Sequence, residues 1–484
     1  MDNCVAFPVD QHLLEDVITQ GKDYALTKGI IMRTREQPNS SEVISYAPHV
    51  LFPSPVPKHL FEQALAAQED FNLLMYGVTQ DQEFLETALK SAIQVDDFTR
   101  KLYEIYEKVH IKGNPAQPIN FAMLRADYMF DTARGKETPA EEMKLRQIEI
   151  NTIASSFAGL GSKLPELHRY NLRNIGESEK AASLPENKAV DGLAKGLVEA
   201  WKLYGNEKAA MLFFIEDVSQ NIFDQRILEY TIHEVNSSVT TLRRKFSDIV
   251  ERAVTKDNKL FIDNIEIAVV YFRYGYMPHQ YTSEKDWEAR LMMEQSLAIK
   301  CPSIRFHLVG TKKVQQELSR PGAVERFQNY FPNPAESVQR IRDTFAGLYS
   351  FDMGEDGDTT VKRALAEPEK YVMKPQREGG GNNIFGKNIT ATLEKIGQDE
   401  KRAEYILMDR VQPAVIPNYQ IRHNTSPELM DMVSELGVFG VIIGKGPNIL
   451  YNNKAGHLLR TKSICHDDGG VAAGAAVLDS PYLV

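Results

Sequence analysis

Cysteine is scarce in this 484-residue chain. Only Cys4, Cys301 and Cys465 occur, far apart, odd in number and without a C-x-x-C pair. That excludes a disulfide framework and a cysteine-based zinc site, and it points to a reducing compartment. An excess of basic residues is also missing: Lys plus Arg total 56 against 66 Asp plus Glu, a net charge of -10. No global field draws such a chain to a nucleic-acid backbone, although a local basic pocket for a small anion is compatible with it. Long apolar runs are absent too. The most apolar later stretches, 436–444 and 471–478, are shorter than the ~20 residues a bilayer span requires. Residues 1–10 carry neither a basic n-region nor an apolar h-region, so a cytoplasmic protein with no membrane partner is expected.

Several nucleotide and hydrolase signatures are missing as well. There is no G-x-x-x-x-G-K-[ST], and the run Gly159-Leu160-Gly161-Ser162-Lys163-Leu164 ends in Leu where a dinucleotide fingerprint needs Gly or Ala. The acidic stretch from Asp352 to Asp358 resembles a calcium loop only as far as Gly357, since Arg363 stands where a bidentate Glu is required. It reads as a solvated turn. H-E-x-x-H and G-x-S-x-G do not occur.

What is present is an α/β pattern. Leu60, Phe61, Ala64, Leu65 and Ala67, then Phe84, Leu85, Leu89 and Ile93, recur at helical spacing in the first hundred residues. The alternating run Gln147-Ile148-Glu149-Ile150-Asn151 places Glu149 and Asn151 on one polar face of a strand, which should line a cleft. Strands are expected at 209–215, 239–246, 267–272, 371–374, 405–411, 438–443 and 457–461, with helices at 223–235 and 388–397. The expected division is 1–207, a helical and core part; 208–312, a compact α/β unit; and 313–484, with loops at about 371–445.

The most informative stretch runs from Lys374 through Pro375, Gln376, Arg377, Glu378, Gly379, Gly380, Gly381 and Asn382 to Asn383. Glycines let backbone N–H groups converge on phosphate oxygens and make a loop easy to move. A glycine triplet by itself fits a surface loop as well. A carboxylate beside phosphate, however, calls for a divalent cation between them, which makes Glu378 a magnesium candidate. Glu149 and Asn151 could complete such a site; an edge-strand charge facing water is the other reading of Glu149. Further cations stand in turn or strand contexts: Lys312 and Lys313 after Gly310-Thr311, and Arg460 with Lys462 on one face of an alternating run. These last two abut the small-residue loop Asp467-Asp468-Gly469-Gly470-Val471-Ala472-Ala473-Gly474.

Taken in order, Arg125-Ala126-Asp127-Tyr128-Met129-Phe130, Gln147 to Ile153, Asn221-Ile222-Phe223-Asp224-Gln225-Arg226, Arg273-Tyr274-Gly275-Tyr276, the glycine triplet and Gly469 to Gly474 resemble the eukaryotic glutathione synthetases over essentially the full length. The resemblance implies an ATP-grasp fold with a helical amino-terminal segment, an inserted α/β substrate-binding domain and a glycine-rich lid. It implies a homodimer that joins γ-glutamylcysteine to glycine with ATP and two Mg²⁺ ions. Glu149, Asn151 and Glu378 would hold the metals. Lys312, Lys374 and the 374–383 loop would meet the phosphates, and Phe385, Met408, Asp409, Arg410, Val411, Glu435, Lys462 and Asp468 the rest of the nucleotide. The dipeptide would lie against Arg125, Ile153, Ala154, Ser155, Ser156, Ser219, Gln220, Asn221, Gln225, Arg273, Tyr274, Gly275 and Tyr276, with Arg460, Val471 and Ala472 at its far end.

The sequence departs from the family pattern at Phe385, where animal enzymes carry tyrosine, at Tyr274, where some carry an acidic residue, and at Asp409, which replaces glutamate. The chemistry implied is phosphorylation of the cysteinyl carboxylate to an acyl phosphate, followed by attack of glycine's amine. Lys312, Lys374, Arg125 and Arg460 are the expected catalytic cations. Ala472-Ala473 suit a glycine-sized acceptor. The competing expectations are a related ligase using β-alanine or serine, and a nucleotide-binding module without turnover.

Overall fold

The computed structural model describes residues 1–484 except 133–137, 379, 468 and 472–473, and shows a mixed α/β molecule. Its centre is a seven-stranded sheet in the order 415–421, 49–50, 476–479, 448–463, 429–445, 119–131, 144–151. The strand Val415–Ile421 also pairs with Leu429–Lys445, so part of the sheet curls back on itself. The apolar run at 436–444 is the reason for the central place of its strand: both faces are covered. Leu436, Val438 and Ile442 pack with residues of the helix Lys58–Gln80. Phe439, Val441 and Ile443 pack with the helix Ala189–Tyr204. This is the period of two of an extended chain, read out on two helices.

Two glycine contacts set how close those layers lie. A Cβ at Gly196 would fall on Val441, and one at Gly440 would fall on Asn72 and Gln68. Each is a close backbone approach that a larger residue would push apart by a methyl group or more.

A second sheet is largely parallel. Strands Thr241–Arg244, Ala210–Phe214 and Ile265–Phe272 run side by side, Ile299–Cys301 joins the last of them, and the hairpin Ala253–Lys256 with Lys259–Ile262 extends it antiparallel. A third, antiparallel sheet of four strands, in the order 348–350, 405–409, 371–375, 384–385, carries the helix Lys387–Ile396. Most expected elements are found at these places. Two are corrected. Residues 355–358 open the helix Glu355–Ala366 rather than forming a solvated turn, because carboxylates in a first turn complement the positive end of the helix dipole. Asp352 is half-buried on Lys313, and Asp358 pairs with the buried Arg402. Lys312 and Lys313 lie not in a turn but in the helix Lys312–Leu318, capped by Thr311, and both are buried. No described helix is long and apolar enough to cross a membrane, and the three cysteines are unpaired.

The chain ends meet. His168, in the helix Ala158–Asn174, sits fully buried with Nε2 2.9 Å from the Val50 carbonyl and Nδ1 beside the Ser480 hydroxyl. A carbonyl only accepts, so the proton resides on Nε2 and Nδ1 accepts from Ser480. Burial, against the pull of the carbonyl, drives the imidazole pKa down from 6.5 to about 3. An unfolded His168 gains its proton near 6.5 and the folded one does not, so the folded state loses stability as pH falls below that value. We therefore expect the stability gap between the parent and His168→Gln to narrow by roughly 2–3 kcal/mol from about pH 7 to about pH 4.5, read from urea unfolding midpoints. A constant gap would show that His168 titrates alike in both states.

Candidate active site

The three sheets present their edges to one cleft. From the central sheet come Arg125, Glu149, Asn151, Glu435, Arg460 and Lys462; from the antiparallel sheet and its loop come Lys374, Arg377, Glu378, Gly380, Asn382 and Asn383. Ile153 to Ser156, Tyr276, Lys312, Gly469, Gly470 and Val471 close the lining. Alternation along Lys144–Asn151 delivers Glu149 and Asn151 to the same side, as the sequence predicts.

Charge is dense and nearly dry. Lys312 Nζ lies 2.9 Å from Glu149 Oε2 and 3.3 Å from Glu378 Oε1, so one ammonium bridges two carboxylates. Lys374 Nζ donates to the Ile148 carbonyl at 2.8 Å. Burial opposes ionisation of Glu149, but the ammonium groups of Lys312 and Lys374 outweigh it and hold the carboxyl well below the usual range. Glu378 is pushed up to about 7, by burial first and, against the pull of Lys312, by the charge of Glu149. The helix beginning at Lys312 also directs its positive end here, so the cleft is built to receive anionic oxygens at the cations.

Beneath Arg125 and Arg460 lies Asp127, a fully buried carboxylate that the sequence reading passed over. Arg125 donates to it from Nε at 2.6 Å and from a terminal nitrogen at 2.8 Å, a bidentate pair. Arg460 donates to Oδ2 at 2.9 Å, and Asn151 Nδ2 donates to the same oxygen at 2.8 Å. With its amide nitrogen held at Asp127, Asn151 keeps its oxygen for the cleft. Arg460 also pairs with Glu435. The only sequence signal for Asp127 was alternation: it stands two residues from Arg125 on the same strand face.

The oxygen donors fit a divalent cation. Glu149, Glu378 and the Asn151 amide are hard ligands from different segments, drawn together around Lys312, the set Mg²⁺ accepts with water or phosphate completing the shell.

A second cavity of about 260 Å³ continues from the first, sharing Ile148, Lys374, Asn383, Glu435 and Lys462. Met129, Val372, Phe385, Met408, Val411, Val415, Val433 and Ile464 give it apolar walls; Asp409 and Arg410 stand at its edge. This is the make-up of a slot for a flat heteroaromatic ring. Phe385 lies under the Arg410 guanidinium at 5.5 Å, and Asp409 accepts from the Gly347 amide at 3.2 Å.

Other predicted residues stand one layer back. Ser219, Asn221 and Gln225 hydrogen-bond with one another, and Gln225 accepts from Arg243. Arg273 donates to Ser156 Oγ at 2.5 Å and to the Ser155 carbonyl at 3.3 Å, so it shapes the 153–157 turn. That turn is strained, with φ of 54° at Ala154 and 71° at Phe157, and is held by Asp224, which accepts from the Phe157 and Leu160 amides. Gly275 donates its amide to Gln280. Tyr274 packs edge-on against Phe246 rather than lining the cleft, because the parallel sheet's aromatic cluster claims its ring. Gln220 lines a different cavity, Gln376 is buried and accepts from the Lys313 amide, and Pro375 closes its strand without lining the cleft. Gly379, Asp468 and Ala472 lie outside the described residues. Gly381 belongs to the loop between Gly380 and Asn382 and, like Gly380, has a positive φ. A Cβ at Gly380 would stand 3.4 Å from the Gly470 amide nitrogen, so the two glycine loops meet above Arg460.

The family described as eukaryotic glutathione synthase, ATP binding domain, matches residues 11–483. A glutathione synthetase of Xenopus laevis is 49% identical over 476 residues, covering 98% of each chain, and that of Homo sapiens is 48% identical with the same coverage. The chloroplastic glutathione synthetase of Solanum lycopersicum is 38% identical, over 98% of this chain and 85% of its own. Among solved structures, a glutathione synthetase-like effector of Globodera pallida in apo form superimposes with a TM-score of 0.77 at 25% identity, covering 98% of both chains.

Removing the carboxylate under two buried guanidinium groups should be costly. Asp127→Asn is expected to lower unfolding free energy by about 3–5 kcal/mol. Adding Arg460→Gln should recover part of that loss, with a coupling of roughly 0.5–3 kcal/mol in a double-mutant cycle by denaturant titration. Strict additivity would show that Arg460 answers to Glu435 alone.

Proposed function

The chain belongs to the eukaryotic glutathione synthase family, and on that footing we propose that it joins the cysteinyl carboxylate of γ-glutamylcysteine to the amine of glycine, converting ATP to ADP and phosphate. The observation that carries this reading is the convergence of Lys312, Lys374, Glu149, Glu378, Arg125 and Arg460 on one cleft next to an apolar slot. The fold that goes with it is ATP-grasp, with a substrate-binding unit at about 208–312 and a lid around 371–445, working as a cytoplasmic homodimer.

A carboxylate is a poor acyl donor because its leaving group is oxide. Transfer of the γ-phosphoryl group to the cysteinyl oxygen turns that oxide into phosphate, and the amine then attacks the carbonyl and expels it. Lys312 and Lys374 would lie along the phosphate oxygens, giving up their present carboxylate and carbonyl partners as the polyphosphate arrives. Two Mg²⁺ ions, when bound by Glu149, Asn151 and Glu378, would neutralise charge on the β- and γ-oxygens. Arg460, fixed by Asp127 and Glu435, would stabilise the oxyanion of the tetrahedral intermediate, and Arg125, held by the same aspartate, would orient the acyl substrate. An acyl phosphate hydrolyses if water reaches it, so the loops that meet at Gly380 and Gly470 have a task beyond contact: they cover the cleft before transfer. The apolar slot would take the adenine, with Asp409, Glu435 and Lys462 at its rim.

Two measurements test this reading. Phosphate release and tripeptide formation should occur with γ-glutamylcysteine and glycine, and more slowly with β-alanine or serine; a faster reaction with either alternative would reassign the acceptor. Glu149→Gln and Glu378→Gln should each lower kcat/KM by about 100-fold and raise the magnesium concentration for half-maximal rate, in protein that circular dichroism shows to be folded. An unchanged magnesium titration would remove those residues from the metal site.

A further inference from the structure

A cavity of about 290 Å³ lies behind the carboxy-terminal substrate loop, between the hairpin of Ile31–Arg33 with Ile44–Tyr46 and the turn at residues 422–425. Arg33, Arg35 and Arg422 face it, with His423, and Glu36 is the one acidic lining residue among the described residues. Arg33 spends its terminal nitrogens on the Pro38 carbonyl at 3.1 Å and the Ser41 hydroxyl at 3.0 Å, leaving Nε buried without a partner. Ser45, 7% exposed and also on the wall, has a buried hydroxyl with no partner. Arg422 donates to the Ala475 and Ala476 carbonyls at 2.9 Å. Neither Arg33 nor Arg422 forms an ion pair with any described carboxylate. Burial, and then the charge of Arg35, lower the affinity of the Arg422 guanidinium for its proton.

Buried donors without acceptors, at Arg33 Nε and the Ser45 hydroxyl, and an Arg422 guanidinium bonded only to carbonyls both raise the free energy of the empty cavity. One ligand class relieves both. We propose that this cavity is a second anion site, which takes a small molecule bearing a phosphate or carboxylate group through Arg33 Nε, the Ser45 hydroxyl and the Arg422 guanidinium.

The site is mechanically joined to the reaction cleft. Val471 lines both cavities, and a Cβ at Gly474 would fall on the Arg35 guanidinium, so Arg35 sits directly on the substrate loop. An anion that draws on Arg35 acts on the loop that closes over Arg460. Binding at this site stands independently of the ligase reading; its effect on substrate rests on it. Two sources supply the chemistry, inorganic phosphate and the carboxylates of a peptide such as glutathione.

The test uses the full chain saturated with magnesium, a non-hydrolysable ATP analogue and γ-glutamylcysteine, so that the nucleotide and dipeptide parts of the reaction cleft are filled. Inorganic phosphate and glutathione are titrated separately by calorimetry into the parent, Arg33→Gln and Ser45→Ala. Saturable binding of either probe at one per chain, weakened at least tenfold in Arg33→Gln and measurably in Ser45→Ala, is the expected result, and the probe that binds identifies the source. Absence of saturable binding for both probes overturns the proposal. So does binding that survives both substitutions but disappears in Lys374→Met, since that places the anion in the reaction cleft. Should Arg33→Gln fail to fold, Ser45→Ala decides alone, because it removes only an unpartnered hydroxyl. Coupling is read from KM for the dipeptide, which the binding probe should shift at least twofold in the parent and leave unchanged in Ser45→Ala; an equal shift in both would confine the site to binding without regulation.

Discussion

Four cations, Lys312, Lys374, Arg125 and Arg460, are buried or nearly so where three sheets meet, and their charge must be balanced before any substrate arrives. The balance comes from carboxylates on the same or other elements: Asp127 under both arginines, Glu435 on the strand paired with that of Arg460, and Glu149 with Glu378 around Lys312. Desolvating so many charges is tolerable only because the pairing is close and mutual. The arrangement is also poised for exchange. Lys312 is held by Glu149 and Glu378, groups that under the proposed function would turn to a metal ion as a polyphosphate takes over the lysine. Asp127 differs in kind: it is fully buried and anchors both Arg125 and Arg460.

The scaffold makes this possible by giving each charged face a dry, rigid backing. The central strand Leu429–Lys445 is covered by helices on both faces, which leaves its glutamate and the paired Arg460 near the cleft end on a stiff support. The strands Ile119–Asp131 and Lys144–Asn151 pair alongside, so Arg125 lies opposite Asn151 and Asp127 opposite Glu149 in register. A slip of one residue would turn the whole constellation to the other face. The turn at 153–157 is rigid by a different device, left-handed backbone at two non-glycine residues secured by Asp224 from the neighbouring helix.

Two glycines from distant segments approach one another over the cleft. Gly380 has a positive φ and faces the Gly470 amide, while Val471 beside it is buried in the core. Val471 also lines the arginine-rich cavity, which places that cavity directly behind the cleft.

Much of this was legible beforehand. Periodicity located the strands at 147–151, 267–272, 371–374 and 438–443 and the helix that follows Asn221, because their apolar spacing is dictated by the faces they bury. Local chemistry singled out the lysine-flanked glycine triplet and the Glu149 and Asn151 pair, and the motif resemblance tied them to one family. Other features were set by contacts that no local pattern encodes. Lys312 and Lys313 become buried helical residues only because Glu149, Glu378 and Asp352 arrive from elsewhere in the chain to meet them. Asp127 looks like any strand aspartate until Arg460, 333 residues away, lies across it. Tyr274 leaves the cleft because Phe214 and Phe246 give its ring a better place to pack. Residue type and spacing thus determined which groups could do chemistry, while the balance of buried charge, a property of distant segments brought together, decided which of them face the cleft.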